Sequence, residues 1–416
     1  MRELRVQLRF DPEHPIEVGT LAEDGRDVWF AYDDAFLPRG LSISPLRLPL
    51  EAGLRRHAPR PGAPIPGVFN DARPDGWGLK LLHRAFQAAG RPVSSVSPLE
   101  ELAWLGDHTM GALCFHPATG PEGSFDDAVA LGAVATHAQR VWDDEVHEVL
   151  PELLRLGGPS GGAWPKALIA LRDDGGPGVR YGEGHVAPGW SAWLVKFPTS
   201  RDDDEVAARE AAWLCMADAA GIDVPPARLL DVQGVGRAFA VRRFDRPSCD
   251  RRLHMISAAG ALDADFRVTA ADYVHLLRAT QQICAGDQSQ VLAMYRLAAF
   301  NVAAENHDDH LKNIAWLMDD QGRYRLAPGF DLTYAPRPFG ERWTTVHGAG
   351  RQVSRDDLLR LADDAGLRPQ DARRILEEVV AATERVEAHL AAHRCGNPVS
   401  RAAATAVLAA TRRLQG

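Results

Sequence analysis

The densest polar run in this 416-residue chain is Asn306-His307-Asp308-Asp309-His310-Leu311-Lys312-Asn313, and Asp331 follows a short way downstream. Transfer of a phosphoryl group asks little more of a protein than these side chains. It needs one carboxylate to orient or deprotonate a hydroxyl, and an amide with a second carboxylate to hold Mg²⁺ on phosphate oxygens. In that reading Asp308 is the base, and Asn313 and Asp331 hold the metal.

The interval from Asp308 to Asn313 is D-x-x-x-x-N, the spacing of a protein-kinase catalytic loop, a short pattern that gains weight from its surroundings. An apolar-periodic helix at 288–304 leads into the run. A hairpin is predicted to lead out of it, with strands at Ile314-Ala315-Trp316-Leu317 and Tyr324-Arg325-Leu326 around Asp319-Asp320-Gln321-Gly322. A hairpin folds the chain back, so Asp331 returns to the neighbourhood of Asp308 and Asn313. Two other readings stand beside this one. Asp and Asn favour turns and caps whatever their chemistry, and His307, His310 and Asp308 could belong to a metal-dependent phosphohydrolase. A histidine-aspartate centre normally needs a further, distant histidine, and none is evident, so His310 is read as an orienting residue at the nucleotide site.

Phosphates also need a cation. Lys196 interrupts the apolar strand Trp193-Leu194-Val195-Lys196-Phe197, and a lysine there requires a partner unless it snorkels from a sheet edge. Glu210 is the candidate. On a helix predicted over Asp204 to Ala220, with acids in its first turn and Gly221 at its end, Val206, Glu210, Leu214 and Ala217 share one face. An acid thus breaks an apolar stripe, and loss of either member of such a buried pair costs ~3–5 kcal/mol. Upstream, Gly157-Gly158-Pro159-Ser160-Gly161-Gly162-Ala163 precedes Lys166 and the apolar strand at 167–171. Glycines let backbone N–H groups approach phosphate closely, but Ala163 after Gly162 departs from the Gly-Lys-Ser/Thr of a Walker loop.

The rest of the chain supplies the frame. Its length corresponds to roughly three folding units, and its 45% hydrophobic and 25% charged residues are those of an ordinary globular protein. Residues 1–150 read as a mixed α/β region with strands at Leu4–Phe10 and Val28–Tyr32 and loops at 58–67 and 116–123. Residues 151–245 read as strands around one helix, and 246–416 as mainly helical. Capping boxes are expected at Thr269–Asp272 and Ser354–Asp357, and surface helices at 370–393 and 400–413. The net charge of −9 argues against primary nucleic-acid binding. Five dispersed cysteines argue against a zinc ribbon or disulfide framework. A charged N-terminus and the lack of any long apolar window point to a cytoplasmic protein.

With these residues in view, the sequence resembles the HipA family of bacterial serine/threonine kinases, the toxins of HipBA-type toxin–antitoxin pairs, along nearly its whole length. The likeness rests on Phe69 with Arg73-Pro74-Asp75-Gly76-Trp77-Gly78, on Leu105-Gly106-Asp107 leading to Gly111-Ala112-Leu113, and on Gly161-Gly162-Ala163 with Pro165-Lys166. It continues through Leu194–Pro198, Arg243-Phe244-Asp245-Arg246, the run Asn306–Asn313 and Phe330-Asp331-Leu332. The resemblance implies an α+β, two-lobed protein-kinase-like fold behind an extra N-terminal α/β domain, with ATP and Mg²⁺ as cofactors. It implies that Asp308 and Lys196 are catalytic, that Asn313 and Asp331 are metal ligands, and that Gly161, Gly162, Ala163, Lys166 and Glu210 serve the nucleotide, with Arg242 and Phe244 near the adenine. A protein substrate such as an aminoacyl-tRNA synthetase is implied too, as is a small helix-turn-helix antitoxin through which alone the protein would meet DNA. Pro159 stands where the family carries a silencing autophosphorylated serine, with Ser160 beside it. A kinase-fold module that only binds is the remaining alternative, and the intact Lys196, Asp308, Asn313 and Asp331 speak for catalysis.

Overall fold

The computed structural model describes residues 2–415 apart from 26, 121–130, 147, 150–152, 155, 157–161, 176–178, 181–185, 269–270 and 338–339. The N-terminal region is built on a five-stranded antiparallel sheet in the order Arg55–His57, Asp27–Tyr32, Ile16–Asp24, Arg2–Leu8, Leu113–His116. Leu4, Val6 and Leu8 face its core while Glu3 and Arg5 stay in water, the alternation a half-buried strand requires. Three helices, Gly67–Ala72, Gly76–Ala88 and Pro98–Leu105, complete the region.

A second antiparallel sheet runs Val179–Arg180, Lys166–Arg172, Trp190–Lys196, Gly236–Arg242, Ala227–Val232. Its register sets Lys166 directly opposite Lys196, and Phe239 on the other side of Lys196. Like charges facing each other across a ladder repel, so this end of the sheet demands carboxylates. The helix Val206–Ala219 packs against the sheet and brings Glu210 there. The helix is shorter than the sequence suggests, and its first turn holds no acid. Those acids have other partners: the Asp203 carboxylate accepts from Arg209, and Glu205 takes the backbone N–H groups of Gly396 and Asn397. Gly221 does stand past its end with φ 77, in the left-handed region.

The remainder is mainly helical around Gln288–Ala303, whose residues from Leu297 onward are buried without interruption. The expected hairpin is present as Ala315–Met318 and Tyr324–Leu326, joined by His254–Ser257 into a three-stranded sheet. Ser354 and Asp357 form the expected reciprocal cap. Thr269 and Ala270 lie outside the described residues, and Asp272, expected as the third helical residue, is itself the cap: its carboxylate accepts from Val274 N at 2.9 Å and the helix starts at Tyr273. The surface helices expected at 370–393 and 400–413 are present and amphipathic, with Arg373, Arg374 and Glu377 exposed. They run Pro369–Thr383, Val386–Ala392 and Pro398–Gln415, and bury Ile375, Leu376, Val379 and Val407. This is the α+β, two-lobed kinase-like architecture with an added N-terminal α/β part.

One apolar core extends from Leu4 to Leu414 and joins the N-terminal sheet to the helical half, while Trp77, Trp193, Val195 and Phe197 belong to a second core at the other sheet. Hydrogen bonds stitch the same seam. His254 Nε2 meets Ile43 O at 2.8 Å, Tyr324 Oη donates to Ser42 O at 2.8 Å and Arg252 N donates to Phe10 O at 2.8 Å. Burial pushes the His254 imidazole down to about 4, so it sits neutral in the seam. All five cysteines are free, and among the described residues no helix is long and apolar enough to cross a membrane.

Candidate active site

A cleft opens between the second sheet and the helical half. Leu194, Phe239 and Val241 line it from the sheet, Met255, Phe330 and Leu332 from the opposite side, and the Phe244 ring lies 5.3 Å from that of Phe330, tilted by 46°. One end is apolar. The other gathers Lys166, Lys196, Glu210, Asn313, Lys312 and Asp331.

Lys196 is the hinge of that charged end, for its Nζ donates to both Glu210 Oε1 and Asp331 Oδ1. Burial disfavours the ammonium, but the Asp331 and Glu210 carboxylates outweigh it and hold Lys196 charged beyond its ordinary range. Asp331 in turn is kept well below the usual carboxylate range against burial by Lys196 and Lys166. Lys166 has no such surplus: burial and the facing Lys196 push it down to about 8. Glu210 is pushed up by burial, with the Asp331 charge adding to it. Asp331 has φ 56, a left-handed backbone seldom adopted away from glycine and concentrated where function requires it.

Asp308 sits half-buried beside these groups, outside the residues that wall the cleft. Its backbone oxygen accepts from Asn313 Nδ2 at 2.9 Å, which locks the two ends of the loop together. Burial raises the Asp308 carboxyl, His310 opposes, and the charges of Asp331 and Asp309 raise it further. The two carboxylates therefore share one neighbourhood, as the hairpin argument requires.

The adjacent Asp309 is a different kind of residue. It is fully buried, accepts from Tyr273 Oη at 2.9 Å and Thr344 N at 3.1 Å, and lies 3.8 Å from Arg342. Tyr273 Oη also accepts from Asn301, whose side-chain oxygen accepts from Asn306 at 3.0 Å. This buried chain fixes the loop from beneath.

Gly162, Arg242, Phe244 and His310 line the cleft as expected, while Ala163 is exposed and does not. Ala163 turns outward because Gly162, at φ 82, reverses the chain just before it. Gly161, with 157–160, lies outside the described residues. His307 pairs with Glu305 at 3.0 Å, away from His310, which lies 5.2 Å from the Phe266 ring. Among the described residues no group of three or more His, Cys, Asp or Glu is arranged to hold a metal, so the histidine-aspartate alternative finds no such centre. The oxygen donors Asn313 and Asp331 do fit Mg²⁺, a hard cation bound through one or two carboxylates plus substrate phosphates. The charge strain on Asp308 is what a nearby cation would relieve.

Sequence reasoning missed one group altogether. Asp71 and Asp75 of the N-terminal region reach this cleft, and Lys312 Nζ lies 2.7 Å from Asp75 Oδ2 and 3.8 Å from Asp71 Oδ1. Asp75 was visible only as part of a motif, with no hint of its partner.

A family model described as the HipA-like C-terminal domain matches residues 159–386, and one described as the HipA N-terminal domain matches residues 14–116. A protein of Sinorhizobium fredii (strain NBRC 101917 / NGR234) named as a candidate kinase, Y4mE, is 26% identical over 343 residues, 76% of this chain and 74% of the relative. A solved chain from the Shewanella oneidensis MR-1 toxin–antitoxin complex of HipA, HipB and operator DNA superposes with a TM-score of 0.72 at 18% identity. That match covers 99% of this chain and 97% of the other.

Proposed function

The chain belongs to the HipA family, and on that premise we propose that it is an ATP- and Mg²⁺-dependent serine/threonine protein kinase, the toxin of a toxin–antitoxin pair. One observation carries the reading: the Lys196 ammonium is held between Glu210 and Asp331 beside the apolar stretch of the cleft lined by Leu194, Val241, Phe244 and Phe330. A nucleotide has this same polarity. Its base would lie among Leu194, Val241, Phe244 and Phe330 near Arg242, and its phosphates would meet Lys196 and Lys166.

Asn313 and Asp331 would hold Mg²⁺, which when bound neutralises phosphate charge and favours in-line transfer. Asp308 would accept a hydrogen bond from the substrate hydroxyl and take its proton as the new O–P bond forms and the bond from the γ-phosphorus to the departing ADP oxygen breaks. Lys196 steadies the phosphates, and Glu210 keeps Lys196 in position.

By family likeness the substrate is a translation component such as an aminoacyl-tRNA synthetase. The partner is a small helix-turn-helix antitoxin, in keeping with the HipB and operator DNA of the Shewanella complex and with a net charge of −9. In this reading residues 1–150 are the HipA-type N-terminal domain, 151–245 the nucleotide lobe and 246–416 the catalytic lobe of a cytoplasmic protein. Transfer of labelled phosphate from ATP to protein, compared between the native chain and Asp308→Ala, tests it. Labelling by the native chain alone is expected, and equal labelling by both defeats the proposal.

A further inference from the structure

Asp75 stands at the N-cap of the helix Gly76–Ala88, where an aspartate ordinarily accepts a hydrogen bond from the first turn, yet its side chain makes no such bond. The carboxylate is spent elsewhere. It is 5% exposed, its Oδ1 accepts from Gly162 N, and its Oδ2 pairs with Lys312 Nζ at 2.7 Å. Gly162, just before the strand Lys166–Arg172, lies on one side of the cleft, and Lys312, in the loop of Asp308 and Asn313, on the other.

The next two residues complete the grip. Trp77 N donates to Gly162 O at 2.8 Å and Trp77 Nε1 donates to Lys166 O at 3.0 Å, so both backbone groups of Gly162 are held by residues 75–77. Gly76 between them has φ 45, and a Cβ there would lie 2.3 Å from Gly162 O, which leaves glycine alone able to allow the approach. Lys312 is steadied from the same region by Asp71, whose carboxylate also accepts from Ser257 N and Oγ at 2.6 Å each.

We propose that Asp75 is a positioning residue that ties Gly162, and with it the start of the strand Lys166–Arg172, to the loop of Asp308 and Asn313, so that the N-terminal region sets the spacing of the phosphate-binding end of the cleft. The inference rests on reading the cleft as a phosphoryl-transfer site. A charge-assisted bond to each wall makes the coupling two-sided: loosening either partner releases the other.

The experiment uses the full chain and two variants, Asp75→Asn and Lys312→Ala, with hydrogen–deuterium exchange of the segment 162–170, binding of a fluorescent ATP analogue, and steady-state kinetics. Asp75→Asn is expected to speed exchange at 162–166 by about tenfold, as loss of a hydrogen bond to a charged group implies. It should also raise the KM for ATP by a similar factor while kcat stays within about threefold. Lys312→Ala, across the cleft, is expected to speed exchange in the same segment. Unchanged exchange at 162–166 in Lys312→Ala overturns the coupling, and so does a fall in kcat without a rise in KM in Asp75→Asn. If the native chain binds no nucleotide, the kinase reading fails, and the exchange data still decide whether Asp75 joins the two walls.

Discussion

Two clusters of buried charge line the same cleft, and they are built on different principles. Around Asp245, only 1% exposed, every acceptor is taken: Arg243 donates at 3.0 and 2.7 Å, Arg246 at 2.7 Å and Gly111 N at 2.7 Å. The arginines spend their remaining donors on Thr109 O and Gly111 O. Around Lys196 the accounts are open. The Asp331 side chain keeps 35% of its surface exposed, Glu210 and Asp308 are pushed toward protonation, and Lys166 toward deprotonation. Saturated charge clusters hold a fold together. A strained, partly exposed one is where a ligand can complete the set.

Mutation can break this contrast. The largest expected effect is Asp245→Ala, which strands two buried guanidinium groups and should lower unfolding free energy by ~3–5 kcal/mol, read as a shifted denaturant midpoint. Residual phosphoryl transfer should track the folded fraction. Lys196→Met unpairs Glu210 and Asp331 and should cost a comparable ~3–5 kcal/mol, but it should also cut transfer by about 10²–10³-fold in the protein that remains folded, the usual consequence of removing one charge-stabilising donor. If the two variants lose stability and activity in the same proportion, the distinction between the clusters collapses.

A subtler test is pH. The Lys166 ammonium is pushed down to about 8 from its ordinary 10.5, so above pH 8 the folded chain releases a proton that the unfolded chain still holds. Stability should therefore rise from pH 8 to about 10.5 through this residue, with its penalty fully present below pH 8. Affinity for a nucleotide analogue should fall over the lower part of that window, as a cation facing the phosphates is lost. Opposite slopes that both vanish in Lys166→Met would assign them to this side chain, and two slopes of the same sign would remove Lys166 from the site.

The cleft's main residues were legible because each breaks a pattern. Lys196 interrupts a strand and Glu210 an apolar helix face, and the hairpin dictates that Asp331 returns toward Asp308. Within the Asp308-Asp309 pair, by contrast, nothing local reveals that Asp309 is sealed beneath the loop, since its partners Tyr273, Thr344 and Arg342 are remote in sequence. The same holds for Asp75, whose partner Lys312 lies in the other half of the chain. The C-terminal surface helices were legible from their Ala, Leu and Arg/Glu content, and Ile375, Leu376 and Val379 form the stripe that one of them buries.

The seam between the N-terminal sheet and the helical half has a temporal side. Ile43 waits for His254, 211 positions later, and at a synthesis rate of about 5–20 residues per second that is an interval of roughly 10 to 40 s. Throughout it the face of the emerging sheet that the helical half covers in the finished fold stays open to water.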